Sequence, residues 1–392
     1  MLRNLWIENF RALEDFKVAR LGRVNLIVGK NSSGKSTVLE ALRIFSRRAN
    51  PSLLSEIAIG HDETFRGLRR DEEAPSFEAE LPFQHFFPKR VIPQADSVRI
   101  TIGDLERKEF VSIEHILYLQ ELIETTDSTN EVVRRARKKP IAKSDLFGRQ
   151  RPDGQALSIS AHDFESPTLI DLEDFDSYRY RPRLRTAPWY ARESPVSYIP
   201  TQFLPFDSLA ALWDRIALTE LEKPVLEALS VIEPDIERLT FVSNDTNASG
   251  ARVREGTRIP VIKLAGIEKP VPLSSTGDGM VRTLQMVLGI FPAKDGLFLV
   301  DEFENGLHYS VQEKIWALIF RLAGLLNVQV FATTHSWDCV ESFKNAAIAN
   351  EDDGILFRMA RSVLPRDHGK IIATVFDEES LDQVTQAKLE IR

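Results

Sequence analysis

The sequence predicts an α/β fold: a mixed, largely parallel sheet with flanking helices, split by a long insertion. Three observations point there. The apolar run Val24-Asn-Leu-Ile-Val28 leads through a glycine-rich turn, Gly29 to Gly34, into helical spacing of apolar residues over 36–45. From Tyr198 onward, strand-like and helix-like stretches alternate. A second apolar run, Leu297-Phe-Leu-Val300, ends in two adjacent carboxylates, Asp301 and Glu302.

Leu2, Leu5, Ile7 and Phe10 alternate with polar neighbours and read as a half-buried strand. Val24–Val28 has no polar face except Asn25 and reads as a strand buried on both sides. Pro51 ends the first unit. Prolines and charge runs punctuate residues 50–195, with one helix expected from about Ile113 to Thr125. This stretch is read as an inserted, helical or irregular subdomain, and residues 1–49 plus 196–392 as one split domain. No heptad persists, so no long coiled-coil arm is expected. A helical region is expected over 208–232, and strands near 238–243, 252–255 and 258–264. Then follow a helix at 277–291, a strand at 297–300, a helix at 310–325, a strand at 328–332 and a helix at 337–345. Strands near 355–359 and 370–376 and a helix near 379–388 close the pattern.

Composition narrows the class of function. The chain has 392 residues, 43% hydrophobic and 28% charged, an ordinary globular balance. No apolar run approaches the length needed to span a bilayer, and the charged N-terminal segment lacks the apolar centre of a signal peptide. A cytoplasmic protein without membrane contact is expected. The single cysteine, Cys339, excludes internal disulfides and cysteine-rich zinc clusters and is expected to be inert core. With a net charge of −8, nucleic acid could be met only through local basic patches. Two are visible: Arg134–Lys139, and Tyr178–Arg192, where arginines interleave with aromatic rings. Each also reads as a solvated surface, a helix face for the first and a proline-rich loop for the second.

Gly29-Lys-Asn31-Ser32-Ser33-Gly34-Lys35-Ser36-Thr37 matches the phosphate-binding pattern G-x-x-x-x-G-K-S with a strand before it and a helix after it. Glycines let successive backbone N–H groups turn inward toward phosphate oxygens, and the helix adds its positive end. Lys35 then reaches the β- and γ-phosphates, and the Ser36 hydroxyl serves Mg²⁺. Asp301 suits the Mg²⁺ shell, and Glu302 suits a base that orients the attacking water. Leu273-Ser274-Ser275-Thr-Gly277-Asp-Gly places small residues at a helix start, 26 residues before Asp301 if counted from Ser275. His335 ends a strand in Ala332-Thr-Thr-His-Ser336.

That order of motifs resembles the ABC-type ATPase head. Glu8-Asn-Phe-Arg-Ala-Leu13, Asp301-Glu-Phe-Glu-Asn-Gly-Leu-His308 and Ala332-Thr-Thr-His-Ser336 look like the soluble OLD (overcoming lysogenization defect) class, relatives of SMC- and RecF-type heads. The resemblance covers residues 1–49 and 196–392 and implies a homodimer, or a larger assembly built from it, that sandwiches two ATP molecules. Ser274 or Ser275, with Gly277, would meet the γ-phosphate bound by the other copy. His335 would sense that phosphate, Glu304–His308 would couple the two sites, and Arg11 would contact nucleotide. Gln84 is the one candidate for a glutamine loop, and 274–279 departs from the transporter sequence LSGGQ. OLD relatives often carry a TOPRIM nuclease domain. Too few residues follow Ser336 for one, and Asp174-Phe-Asp176 reads as a solvated acidic loop, so the effector is expected to be encoded separately.

The resemblance implies an ATP-hydrolysing dimeric switch that controls a nuclease or other effector in bacterial anti-phage defence. A ligand held only by the closed state stabilises that state by about 2.7 kcal/mol at hundredfold excess over Kd, enough for two ATP molecules to drive dimerisation. A RecF/SMC-like ATPase acting directly on DNA, a nucleotide-occupied scaffold with little turnover and, less well matched, a transporter subunit are the alternatives. DNA-stimulated hydrolysis, or permanently bound nucleotide, separates the first two from the switch.

Overall fold

All five residues of the strand before the phosphate loop are buried, and the reason is visible in the computed structural model of the chain. The structure describes residues 1–63, 83–95, 98–126, 132–143, 152–172, 193–243, 258–349 and 354–376. In chain order the elements begin with β1 (Leu5–Phe10), β2 (Leu13–Val18), β3 (Val24–Val28), α1 (Lys35–Ser46) and α2 (Pro51–Gly60). Next come β4 (Arg99–Asp104), β5 (Glu109–Thr126), β6 (Val132–Ile141), β7 (Gly154–Ala161), β8 (Thr168–Asp171) and β9 (Val196–Ile199). Then follow α3 (Phe206–Asp214), α4 (Glu222–Ser230), β10 (Ile236–Ser243), β11 (Arg258–Leu264), β12 (Val271–Pro272) and α5 (Asp278–Ile290). The last are β13 (Leu297–Val300), α6 (Tyr309–Leu325), β14 (Gln329–Thr334), α7 (Trp337–Ile348), β15 (Gly354–Arg361) and β16 (Ile371–Phe376).

The central sheet has the order β16-β15-β3-β14-β13-β9, and every pairing in it is parallel except β15 with β16. Its strands are covered on both faces, which removes the polar alternation of a one-sided strand. Val24, Leu26 and Val28 join one core with Phe298, Val330 and the buried faces of α5, α6 and α7. Ile27, Leu297, Leu299 and Phe331 join a second core with α1, α2 and the antiparallel sheet. The period of two in that list is the strand's own geometry. The expected mixed, largely parallel α/β fold with flanking helices is what the chain adopts.

The antiparallel sheet runs β2-β1-β4-β5-β7-β8, with β6 added on β5. It joins the first two strands of the chain to five strands from the inserted stretch. The expected helix over 113–125 is therefore corrected: these residues lie in β5, an 18-residue strand. The expected α-rich character of the insertion is corrected with it, because its described part is dominated by β4 to β8. Arg134–Lys139 lies on β6, so the helix-face reading of that run is also corrected. Within 208–232 the helix breaks into α3 and α4 around residues 215–221. A third sheet, β10-β11-β12, borders α3 and α4. The strand expected at 252–255, the helix at 379–388, Asp174–Asp176 and the patch 178–192 lie outside the described residues. No helix among the described residues is long and apolar enough to cross a membrane.

Candidate active site

Four parallel strands, β3, β14, β13 and β9, end side by side, at the edge where open α/β sheets bind ligands. The residues after those ends make the site. After β3 the chain turns through Gly29–Gly34 into α1. Gly34 takes φ +91°, a left-handed conformation that a side chain would strain, and so directs the following N–H groups along one wall. Gly29 is required for a different reason: a Cβ there would stand 2.6 Å from the Met359 carbonyl oxygen and 2.7 Å from Ser33 Oγ. Ser33 Oγ is buried with no hydrogen-bond partner, while Asn31 and Ser32 are exposed. The Lys35 ammonium donates to the carbonyl oxygens of Gly29 (2.8 Å) and Lys30 (3.2 Å), bridging its own loop. Burial lowers its pKa against the opposing pull of Asp301, Glu302 and Glu304. Thr37 is half-buried in the first turn of α1.

Ser36 Oγ donates to the Asp301 carboxylate at 3.0 and 3.2 Å, which joins the phosphate loop to the end of β13. The Thr333 hydroxyl from β14 donates to Asp301 Oδ1 at 2.6 Å and accepts the Glu302 N–H at 2.8 Å. Glu302 takes φ +48°, a left-handed backbone that costs a non-glycine residue about 1–2 kcal/mol. The surrounding bonds hold it there. Arg282 of α5, fully buried, donates to the carbonyl oxygens of Pro200 (2.7 Å), Asp301 (2.7 Å) and Glu302 (2.9 Å). Burial pulls this guanidinium down to about 10 despite the nearby carboxylates. His335 follows β14. Its Nδ1 lies 3.2 Å from Glu304 and 3.8 Å from Glu302, and its backbone N–H donates to Glu304 at 3.0 Å. Glu304 thus orients the imidazole beside Glu302.

Oxygen donors from Ser36 and Asp301 converge without a basic side chain between them, a donor set that fits Mg²⁺, which takes few protein oxygens and keeps water and phosphate as its other ligands. The cleft beyond them holds about 650 Å³ and is lined by Ser36, Glu40, Arg43, Tyr198, Gln202 and Asp301 among others. Arg43 stacks 4.5 Å over the Tyr198 ring, and burial raises the phenol above its usual value.

Three groups of expected site residues do not line this cleft. Arg11 is held by Glu40 (3.0 Å) and Glu63 (2.5 Å), stacks on Phe86 and is nearly buried, and Glu40 also pairs with His61. Ser274 and Ser275 lie in a single 3-10 turn, followed by Gly277 and α5, and all three are exposed. None lines the cleft containing Ser36 and Asp301. That turn instead borders the loop 304–308, since a Cβ on Gly279 would lie 3.0 Å from the Gly306 carbonyl oxygen. Gln84, in another short 3-10 turn, is likewise no part of the cleft. Sequence reasoning missed Arg282, Thr333 and Gln202. Thr333 stood within the motif Ala332–Ser336, the one charged residue in the largely apolar helix 280–290 was a signal for Arg282, and Gln202 follows a strand end as ligand-facing residues do.

The family model AAA_21, "AAA domain, putative AbiEii toxin, Type IV TA system", matches residues 24–338. An "ATP/GTP phosphatase" of Helicobacter pylori is 23% identical over 362 residues, 87% of each chain. The "DNA replication and repair protein RecF" of Caldanaerobacter subterraneus is 38% identical over 86 residues, 21% of this chain and 23% of that one. An SMC head domain from Thermotoga maritima superposes with a TM-score of 0.40 at 14% identity, covering 96% of this chain and 99% of that one. The phosphate loop and the Asp301–Glu302 pair both lie within the matched residues, and the chain belongs to this AAA-domain family and is a P-loop ATPase.

Proposed function

We propose that the protein is an ATP-hydrolysing switch that closes head to head around two nucleotides and so controls a separately encoded nuclease or other effector, in the manner of the OLD class. The observation that carries the reading is a mismatch within one copy. Ser36 and Asp301 line one cleft and Gly29 and His335 an adjoining pocket at the same strand edge, while Ser274, Ser275 and Gly277 are exposed and line neither. A second copy supplies them to that edge.

The chemistry follows from the placed groups. Lys35 leaves its loop carbonyls for the β- and γ-phosphates, and the loop N–H groups hold the rest of the triphosphate. Ser36 and Asp301 would hold Mg²⁺, which supplies charge neutralisation at the phosphates when bound. Glu302 orients a water in line with the γ-phosphorus and takes its proton. His335, fixed by Glu304, donates to the γ-phosphate oxygens and reports their loss. Hydrolysis removes the bridge and lets the copies part.

The anti-phage setting in the cytoplasm rests on the OLD-like motifs and on the toxin named in the family description. The test is Glu302→Gln followed by light scattering. With ATP and Mg²⁺ it should run as a dimer while turnover falls by at least a hundredfold, and a monomer under those conditions sinks the reading. A second reading, an ATPase acting directly on DNA, draws support from the RecF-like segment. Hydrolysis by purified protein that rises severalfold on adding DNA, with no other protein present, would favour it.

A further inference from the structure

The outer face of the antiparallel sheet carries a second cavity, of about 350 Å³. Its axis is a row of three paired residues: Trp6 of β1 opposes Gly103 of β4, which opposes Phe110 of β5. Leu5, Ile7, Ile100 and Ile102 point to the core from the same strands, so the row faces outward. Gly103 has no side chain because β5 closes over it, where a Cβ would collide with the Glu109 carbonyl oxygen and stand 2.8 Å from Phe110 Cα, so the cavity lies beside this contact as a slot, with Trp6 and Phe110 in its walls. Phe110 is 38% exposed on its rim.

The polar groups around the slot are the informative ones. Thr101 lines it, is 5% exposed, and its hydroxyl has no hydrogen-bond partner. A buried hydroxyl without a partner is unfavourable unless something outside the chain completes it. Arg99 and Lys108 also line the slot, and neither has an ion-pair partner among the described residues. Glu8 and Glu114, in register with Thr101 and Arg99, share this face, whereas the two acids that line the slot are engaged. Asp104 accepts the N–H groups of Arg3, Asn4, Glu106 and Arg107, and Glu109 faces Arg107 at 3.9 Å. Those bonds also fix the turn that presents Lys108.

We propose that this slot takes one base of a single-stranded nucleic acid, stacked on Trp6 and Phe110, with flanking phosphates on Arg99 and Lys108. Ring faces, a hydroxyl that can donate or accept, and fixed cations are the three things a nucleotide in a strand uses. An aliphatic ligand would use neither the cations nor the hydroxyl. Arg99 opens β4 and Lys108 lies in the turn beyond its other end, a separation of roughly the 17 Å length of the strand, which is a span for several linked nucleotides and too long for one free nucleotide. The proposal is independent of the switch reading, since the slot lies on the face of β1 and β4 turned away from the core that contacts α1.

The test is fluorescence anisotropy of a labelled twelve-residue oligothymidylate, with the phosphate loop filled by ADP. Trp6→Leu and Phe110→Leu should each weaken binding by roughly tenfold or more. Arg99→Gln and Lys108→Gln should each lower the slope of log K against log salt by about 0.7. Basal ATP hydrolysis should stay unchanged in all four. Wild-type affinity in Trp6→Leu overturns the proposal, and so does competition by free thymidine monophosphate as effective as that by the strand. If either leucine variant fails to fold by circular dichroism, photocrosslinking of a 4-thiothymidine strand to the wild-type chain decides. Adducts on the peptides holding Trp6 or Phe110 support the slot, and adducts confined to other peptides refute it.

Discussion

At the scale of the residue, the proposed mechanism divides the site into groups that would touch the nucleotide and groups that hold them. Lys35 belongs to the first. Its ammonium bonds only loop carbonyls in the structure, so removing it leaves the fold intact. Lys35→Ala should bind ATP at least a hundredfold more weakly with an unchanged melting temperature, measured by isothermal calorimetry and thermal unfolding. Arg282 belongs to the second. Arg282→Met leaves three carbonyl oxygens, those of Pro200, Asp301 and Glu302, without their donor. An unpaired buried acceptor is costly, so the variant should lose about 3 kcal/mol in urea unfolding and most of its kcat. Retained stability would show that water replaces the guanidinium. The touching groups were legible in the sequence, because a phosphate loop and a strand-end Asp-Glu pair are local patterns. The holding groups were less so, since Thr333 and Arg282 reach Asp301 only through strand pairing and helix packing.

At the scale of the element, the central sheet was readable and the antiparallel one was not. Strands buried on both faces, such as Val24–Val28 and Leu297–Val300, leave short unbroken apolar runs with clear flanks. β5 leaves none. It pairs with β4, β6 and β7 along different parts of its length, so its burial pattern changes midway and mimics helical spacing at Ile113, Ile116 and Leu117. Its Val, Ile, Tyr and Thr content was the better guide. One consequence is testable at His115, which the strand buries against Gln155 (3.0 Å) and which burial pulls down to about 4. The unfolded chain takes up this proton near pH 6.5, the folded chain only near 4. Stability contributed by the neutral imidazole is therefore present above pH 6.5 and lost as pH falls toward 4. His115→Gln should remove about 2–3 kcal/mol of that acid sensitivity, seen as a smaller difference in urea-unfolding free energy between pH 7 and 4.5. Equal acid sensitivity in both proteins would mean that the imidazole is protonated in the fold.

At the scale of the whole molecule, the separation of Ser275 from the Asp301 cleft makes a prediction that no arrangement within one copy can share. In a two-fold dimer each composite site takes Lys35 from one copy and Ser275 from the other. Lys35→Ala and Ser275→Arg should each abolish turnover, one by losing the phosphate contact and the other by filling the facing surface. Mixed together, the two proteins form heterodimers in which both defects fall on the same composite site. The other site then has an intact Lys35 and an intact Ser275. Random exchange makes about half of the dimers mixed, each with one working site of two, so hydrolysis should recover to roughly a quarter of wild type. If all the groups acted within one copy, each protein would carry its own defect and mixing would restore nothing. The assay needs only the two purified variants, ATP and Mg²⁺. A rate that stays at zero while light scattering shows mixed dimers would place the 274–277 turn outside the reaction altogether.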